Sequence, residues 1–144
     1  MSSSDQILVR GLRLWAHVGV LVHERERGQW FEVDLTLTVD LSAAARSDNL
    51  SDTLDYSQLI TALQQQARSI HCQTLEHYSE RMLDLAESLY GTVPIALELR
   101  KCSAPVPGFG GVVAVRRQRF TAADSSHAGR ENRAQGQGGS GPNS

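Results

Sequence analysis

Hydrophobic and polar residues alternate strictly over residues 29–42. The apolar side is Phe31, Val33, Leu35, Leu37, Val39 and Leu41, and the polar side is Glu32, Asp34, Thr36, Thr38 and Asp40. Successive side chains of a strand point to opposite faces, so this period of two predicts a strand with one buried face.

A second strand is predicted over residues 7–20, with one irregularity. Ile7 and Val9 precede Gly11, and the apolar positions continue after it in the opposite parity. One extra residue shifts a strand in this way, so we expect a β-bulge near Gly11. A charged connection, residues 22–28, follows, and the two strands are therefore predicted to form a hairpin.

Two helical patterns follow the strands. The first stripe is Leu59, Ile60, Leu63, Ala67 and Ile70, and the second is Leu75, Tyr78, Met82, Leu85 and Leu89. Spacings of three and four residues are typical of helices with one apolar face. Residues 55–57 offer N-cap candidates for the first helix, and Thr74 and Gly91 are the predicted cap and stop of the second.

Strand patterns return at residues 95–101 and 112–120, around a loop rich in proline and glycine. The predicted order is ββααββ. Such an α+β chain is expected to form an antiparallel four-stranded sheet with both helices on its apolar face. We predict one domain over residues 1–120. Residues 121–144 lack Leu, Ile, Val and aromatic side chains, and this composition predicts a disordered tail.

Composition narrows the classes of function. The net charge of −2 and pI near 6.2 argue against nucleic acid as a partner. No apolar run approaches the roughly 18 residues of a membrane span, and the first residues do not resemble a signal peptide. A cytoplasmic protein with reduced Cys72 and Cys102 is expected. The five histidines show no zinc-site spacing, and the chain has no phosphate-cradling glycine loop, so we predict neither metal nor cofactor.

Four residues at element boundaries are candidates for chemistry: Glu24, Tyr56, Glu76 and Lys101. Lys101 has the parity of the apolar positions before it, so it is predicted to lie on the inner side of a strand end. Each residue also has a structural explanation. Glu76 would favour the helix dipole, Glu24 would belong to a solvated charge run, Tyr56 would pack on its helix, and Lys101 would protect a sheet edge.

The order and spacing of several short pieces resemble the dihydroneopterin aldolases of folate biosynthesis. The pieces are Ile-Leu-Val-Arg-Gly-Leu at 7–12, His-Val-Gly-Val at 17–20, Glu24-Arg25, Gly28-Gln29, the strand ending in Asp40-Leu, residues 47–56, Leu75-Glu76 and Lys101-x-x-Ala-Pro-Val-Pro. Cys102 stands where many relatives have proline, and Tyr78-Ser79 replaces a commoner small apolar pair. The resemblance implies the tunnelling fold, in which four subunits form a barrel and two rings usually stack as an octamer, with active sites between subunits.

The resemblance also implies roles for six residues. Glu76 would bind the pterin ring of the substrate, with backbone contacts around Leu75 and Leu54. Lys101, together with Tyr56 of the neighbouring subunit, would transfer protons, and Glu24 would orient Lys101 or a water. The implied reaction is retro-aldol cleavage of dihydroneopterin without a metal or a Schiff base. A dihydroneopterin (triphosphate) epimerase and a non-catalytic pterin-binding ring protein are the alternatives.

Overall fold

A computed structural model describes residues 5–121 of the chain. The strands are β1 Gln6–Val18, β2 Gln29–Thr38, β3 His71–Cys72, β4 Ile95–Lys101 and β5 Val113–Arg119, and the helices are α1 Val22–Arg27, α2 Ser42–Ser47, α3 Tyr56–Ser69 and α4 Leu75–Tyr90. A 3₁₀ turn spans Leu50–Asp52. None of these helices is long and apolar enough to cross a membrane. Beyond Thr121, the predicted tail lies outside the described residues.

The sheet has five strands in the order β3-β1-β2-β4-β5. Three of its pairings are antiparallel, whereas β3 pairs in parallel with the end of β1, through His17 with His71 and Val18 with Cys72. The prediction of four antiparallel strands is therefore wrong at this edge. A two-residue strand carries no periodicity, so the sequence pattern could not reveal it.

The predicted bulge in β1 is confirmed. The register with β2 shifts between Val9 and Leu12, and Gly11 has a φ of +74°, which favours glycine. The Gly11 amide donates to Asp34 Oδ1 at 2.8 Å. β1 and β2 do form a hairpin, although the charged connection between them contains the short helix α1 rather than an open loop.

One hydrophobic core joins the sheet to α3 and α4. The buried face of β2 contains Phe31, Val33, Leu35 and Leu37, as the alternation predicts. The strand ends at Thr38 rather than Ser42, because the chain turns into α2. Leu83 and Ala86 of α4 are buried whereas Leu89 is exposed, so the buried stripe of this helix is rotated from the predicted one.

The predicted caps fix where α3 and α4 begin. The Asp55 carboxylate accepts from the Ser57 amide at 3.0 Å, and Thr74 Oγ1 accepts from the His77 amide at 3.1 Å. These bonds satisfy helix N–H groups that have no partner inside the helix. α4 stops before the predicted residue Gly91, whose φ is +73°.

The polar sheet face carries a charge network centred on Arg100. Its guanidinium bridges Glu32 at 2.9 Å, Asp34 at 2.8 Å and Glu98 at 2.7 Å. Hydrogen bonds from Arg100 hold the pKa of the Asp34 carboxyl below its usual value. Arg100 is therefore fully engaged on the face opposite the helices.

Candidate active site

A tight turn after β1 places Glu24 beneath the end of the sheet. Glu24 lies in α1 and is buried. A side chain at Gly19 would collide with the Glu24 side chain, so glycine leaves the space that the carboxylate occupies. Arg25 fastens α1 to this turn by donating to the carbonyls of Gly19 and Val20, both at 2.8 Å.

The Glu24 carboxylate is paired with Lys101. Lys101 Nζ lies 2.8 Å from Glu24 Oε2, and the two side chains are only 13% and 5% exposed. Gln29 Nε2 donates to the same oxygen at 3.0 Å, and the Leu21 amide donates to Oε1 at 3.1 Å. Burial raises the pKa of Glu24, but the hydrogen bonds from Lys101, Leu21 and Gln29 outweigh it and lower the pKa overall. Glu24 is thus held as an anion against the lysine.

Lys101 is the single lysine in a chain with 14 lysine and arginine residues. An arginine keeps its proton at every ordinary pH, whereas a lysine can release one. The chain therefore has one side-chain amine suited to proton transfer, and that amine is mostly buried beside a fixed carboxylate. Its inner position at the end of β4 confirms the parity prediction.

The beginning of α4 lies at the same end of the sheet. The Gly19 amide donates to the Cys72 carbonyl at 3.0 Å, just before α4 starts. Within α4, the ring of Tyr78 packs edge-on against Phe31 at 5.5 Å, and Phe31 is the register partner of Lys101. Leu75 is buried in the first turn and Glu76 is exposed beside it. Four predicted site residues, Glu24, Leu75, Glu76 and Lys101, thus share one end of the fold.

Leu54 and Tyr56 lie at the opposite end. Tyr90, the last residue of α4, donates from its hydroxyl to the Asp55 carbonyl at 2.6 Å, so the end of α4 meets the beginning of α3. With about 1.5 Å of rise per residue, the 16 residues of α4 separate its two ends by about 24 Å. Tyr56 is 52% exposed. One chain alone cannot bring Tyr56 to Lys101.

A cavity of about 220 Å³ opens beside Glu24. Its lining residues are His23, Glu24, Arg27, Gly28, Gln29, Ser103 and Pro105. Ligand pockets usually measure roughly 300–1,000 Å³, so this cavity is a partial site. A larger cavity of about 420 Å³ lies next to the Arg100 network, and no predicted site residue lines it. Over residues 5–121, no three or more His, Cys, Asp or Glu side chains lie close enough together to bind a metal ion.

Sequence reasoning missed the residues that hold this site in place. Gln29 bridges the Glu24 carboxylate and the Val18 carbonyl, to which it donates at 2.7 Å. A polar amide at an inner position of β2 was the available signal. Two further residues, Arg117 and Ser79, contact the first turn of α4, and no sequence pattern indicates that contact.

A sequence model of the dihydroneopterin aldolase family (FolB) matches residues 7–118. The chain belongs to this family. A Synechocystis relative is 37% identical over 109 residues, which cover 76% of this chain and 92% of that protein. A Staphylococcus epidermidis dihydroneopterin aldolase is 34% identical over 106 residues, or 73% of this chain and 88% of that one.

Comparison of folds agrees with the sequence match. The structure of E. coli dihydroneopterin aldolase in complex with neopterin aligns with a TM-score of 0.73, covering 80% of this chain and 98% of that one. Its sequence identity of 21% makes this a likeness of fold. The α+β architecture of a dihydroneopterin aldolase is therefore established for residues 5–121, with the mixed five-stranded sheet described above.

Proposed function

We propose that this protein cleaves 7,8-dihydroneopterin into 6-hydroxymethyl-7,8-dihydropterin and glycolaldehyde, a step of tetrahydrofolate biosynthesis. The observation that carries the proposal is the buried pair of Lys101 and Glu24 in a chain of this family. A carboxylate that lines a partial cavity and fixes the only lysine of the chain is an arrangement suited to general acid–base catalysis. We place this activity in the cytoplasm.

The reaction is a retro-aldol cleavage. The bond between the first two side-chain carbons breaks as the hydroxyl of the second carbon loses its proton and becomes the aldehyde of glycolaldehyde. The electron pair of that bond moves into the C=N of the pterin ring, whose nitrogen gains a proton. The enol that remains takes up a proton on carbon and becomes the hydroxymethyl group, while the ring nitrogen releases the proton that it gained and the C=N of the ring forms again. Because the substrate supplies the electron sink, neither metal nor Schiff base is needed.

Six residues have proposed roles in substrate binding or proton transfer. Glu76 would accept two hydrogen bonds from the amino group and ring N–H of the pterin, a fork geometry that a carboxylate matches. Backbone groups around Leu75, and around Leu54 of the neighbouring subunit, would complete the ring contacts. Lys101 would act at the ring nitrogen, directly or through water, and Glu24 would orient it. Tyr56 would help to protonate the enol.

The proposed assembly is a ring of four subunits with each site between neighbouring subunits, and two such rings stack to form an octamer. Three observations support it. Tyr56 lies at the opposite end of α4 from Lys101, about 24 Å away along the helix. The cavity beside Glu24 is smaller than a usual ligand pocket. The edge strand β5 has one side without a strand partner among the described residues, and such an edge can pair with another chain.

The epimerase alternative would use a triphosphate substrate and needs several free cations. Arg25 is engaged by two carbonyls and Arg100 by three carboxylates, which leaves Arg27 and His23 at the cavity. The small number of unengaged cations at the cavity favours the unphosphorylated substrate. For a protein that only binds pterins, a buried lysine held by a carboxylate would have no purpose, because Glu76 alone could recognise the ring.

Product analysis tests the proposal. The protein is incubated separately with dihydroneopterin and its triphosphate, and the products are resolved by liquid chromatography. We expect glycolaldehyde and 6-hydroxymethyl-7,8-dihydropterin in equal amounts from dihydroneopterin. Formation of an epimer alone, or binding with no product, would instead support one of the two alternatives.

Replacement of Glu76 by alanine tests the pterin anchor. We expect Glu76→Ala to raise the dissociation constant of neopterin at least about 30-fold, because the pocket loses a charge-assisted, bidentate acceptor. Isothermal titration calorimetry measures the change. Glu87→Ala is the matched control, since Glu87 is a carboxylate near the other end of α4. Equal affinities for both variants would leave Glu76 as only a helix-terminus charge.

A further inference from the structure

Arg117 of β5 reaches across to the first turn of α4. It is the register partner of Leu97, so it lies on the sheet face that packs against the helices. Its Nη1 donates to the Glu76 carbonyl at 3.3 Å and to Ser79 Oγ at 3.2 Å. Its Nη2 forms an ion pair with Glu80 at 2.7 Å. The guanidinium therefore contacts three residues of one helical turn.

Ser79 completes this contact from inside the helix. It is fully buried, and its hydroxyl donates to the Glu76 carbonyl at 2.8 Å while accepting from Arg117. Two side chains thus converge on the backbone of Glu76. Within residues 5–121, the Glu76 carboxylate itself has no hydrogen bond or ion pair, so the residue has a fixed backbone and a free carboxylate. Those are the properties of a prearranged ligand-binding group.

We infer that Arg117 and Ser79 are positioning residues that orient Glu76 for pterin recognition. The inference rests on the proposed role of Glu76. Bidentate recognition is sensitive to geometry, and misplacement of a binding group by about 1 Å can cost up to roughly 100-fold. Arg117, which belongs to β5, and Ser79, which belongs to α4, both restrain such movement of Glu76. Neither residue needs to touch the substrate.

Arg119 provides a comparison within the same strand. It lies two residues further along the same face of β5 and pairs with Asp84 at 3.0 Å, Glu87 at 2.9 Å and Glu80 at 3.2 Å. Arg119 thus ties the same helix to the same strand through ion pairs, without contacting Glu76. If Arg117 only fastened α4 to the sheet, the two arginines would have equivalent effects on pterin binding.

The experiment compares Arg117→Met with Arg119→Met, since methionine keeps much of the length of arginine without its charge. The affinity for neopterin is measured by titration. KM and kcat are measured with dihydroneopterin as the substrate, and stability is measured by thermal unfolding. We expect Arg117→Met to raise the dissociation constant and KM about tenfold with little change in kcat, and Arg119→Met to change both by less than about twofold. Arg117→Lys should restore part of the affinity.

Ser79→Ala gives a second variant that should fold, because alanine is the best helix former. It should raise the dissociation constant about threefold, and it decides the question if Arg117→Met does not fold. Equal affinities of the two methionine variants, or unchanged affinity of Ser79→Ala, would overturn the inference while leaving the proposed function intact. A parent protein that binds no neopterin would overturn both.

Discussion

Replacing Lys101 with alanine is expected to lower the turnover of dihydroneopterin by about 10²- to 10⁴-fold, the usual contribution of general acid–base catalysis. Pterin affinity should change much less, because Glu76 carries the proposed ring contacts. Single-turnover cleavage and an equilibrium titration with neopterin separate the two quantities. A loss of kcat with nearly constant affinity identifies an interaction made in the transition state.

Lys101→Arg distinguishes proton transfer from charge alone. Arginine keeps the positive charge opposite Glu24, but its guanidinium does not release a proton at the pH of the reaction. We therefore expect Lys101→Arg to remain far below the parent in turnover. A variant with arginine that turns over like the parent would show that only the charge matters.

The alanine variant also leaves the Glu24 carboxylate without its cation. An unpaired buried charge destabilises a protein, although the bonds from Gln29 and Leu21 remain here to reduce the effect. Comparing the thermal unfolding of Lys101→Ala with that of the double variant Lys101→Ala/Glu24→Gln, which has no unpaired carboxylate, controls for this loss of stability. If both fold at the assay temperature and cleave at the parental rate, Lys101 has no role in catalysis.

Long periodic segments made most of the fold predictable. The alternation in β2 and the helical stripes of α3 and α4 each extend over ten or more residues, so their burial determines their structure. The bulge at Gly11 was predictable too, because a change of parity at a glycine has few other causes. Short elements could not be predicted from the sequence. α1 has six mostly charged residues and depends on Arg25 and Glu24 for its position.

In the candidate site, too, some features follow from a local sequence pattern and others depend on tertiary packing. The parity of β4 was enough to place Lys101 on the inner face, but its pairing with Glu24 depends on how α1 packs, which no local pattern encodes. Ser79 and Arg117 come together only because α4 crosses β5 at that turn. For Tyr56, the family resemblance implies a place in the site of a neighbouring subunit, and the length of α4 between Tyr56 and the end that carries Lys101 supports that proposal.

Two inactive variants should restore each other's activity if one site uses residues of two chains. Lys101→Ala retains Tyr56, and Tyr56→Phe retains Lys101, so each variant supplies what the other lacks. In a ring where every site joins Lys101 of one subunit to Tyr56 of the next, random mixing gives both groups to about one quarter of the sites. Each variant alone should retain no more than about 1% of the parental turnover.

The decisive measurement is therefore the formation of 6-hydroxymethyl-7,8-dihydropterin by oligomers refolded together from equal amounts of Lys101→Ala and Tyr56→Phe. Unmixed variants, each refolded in the same way, provide the baseline, and light scattering confirms that the mixed assemblies form. A site shared between subunits predicts about one quarter of the parental activity. Activity no higher than the mean of the two unmixed variants would contradict a site built from Lys101 and Tyr56 of different chains.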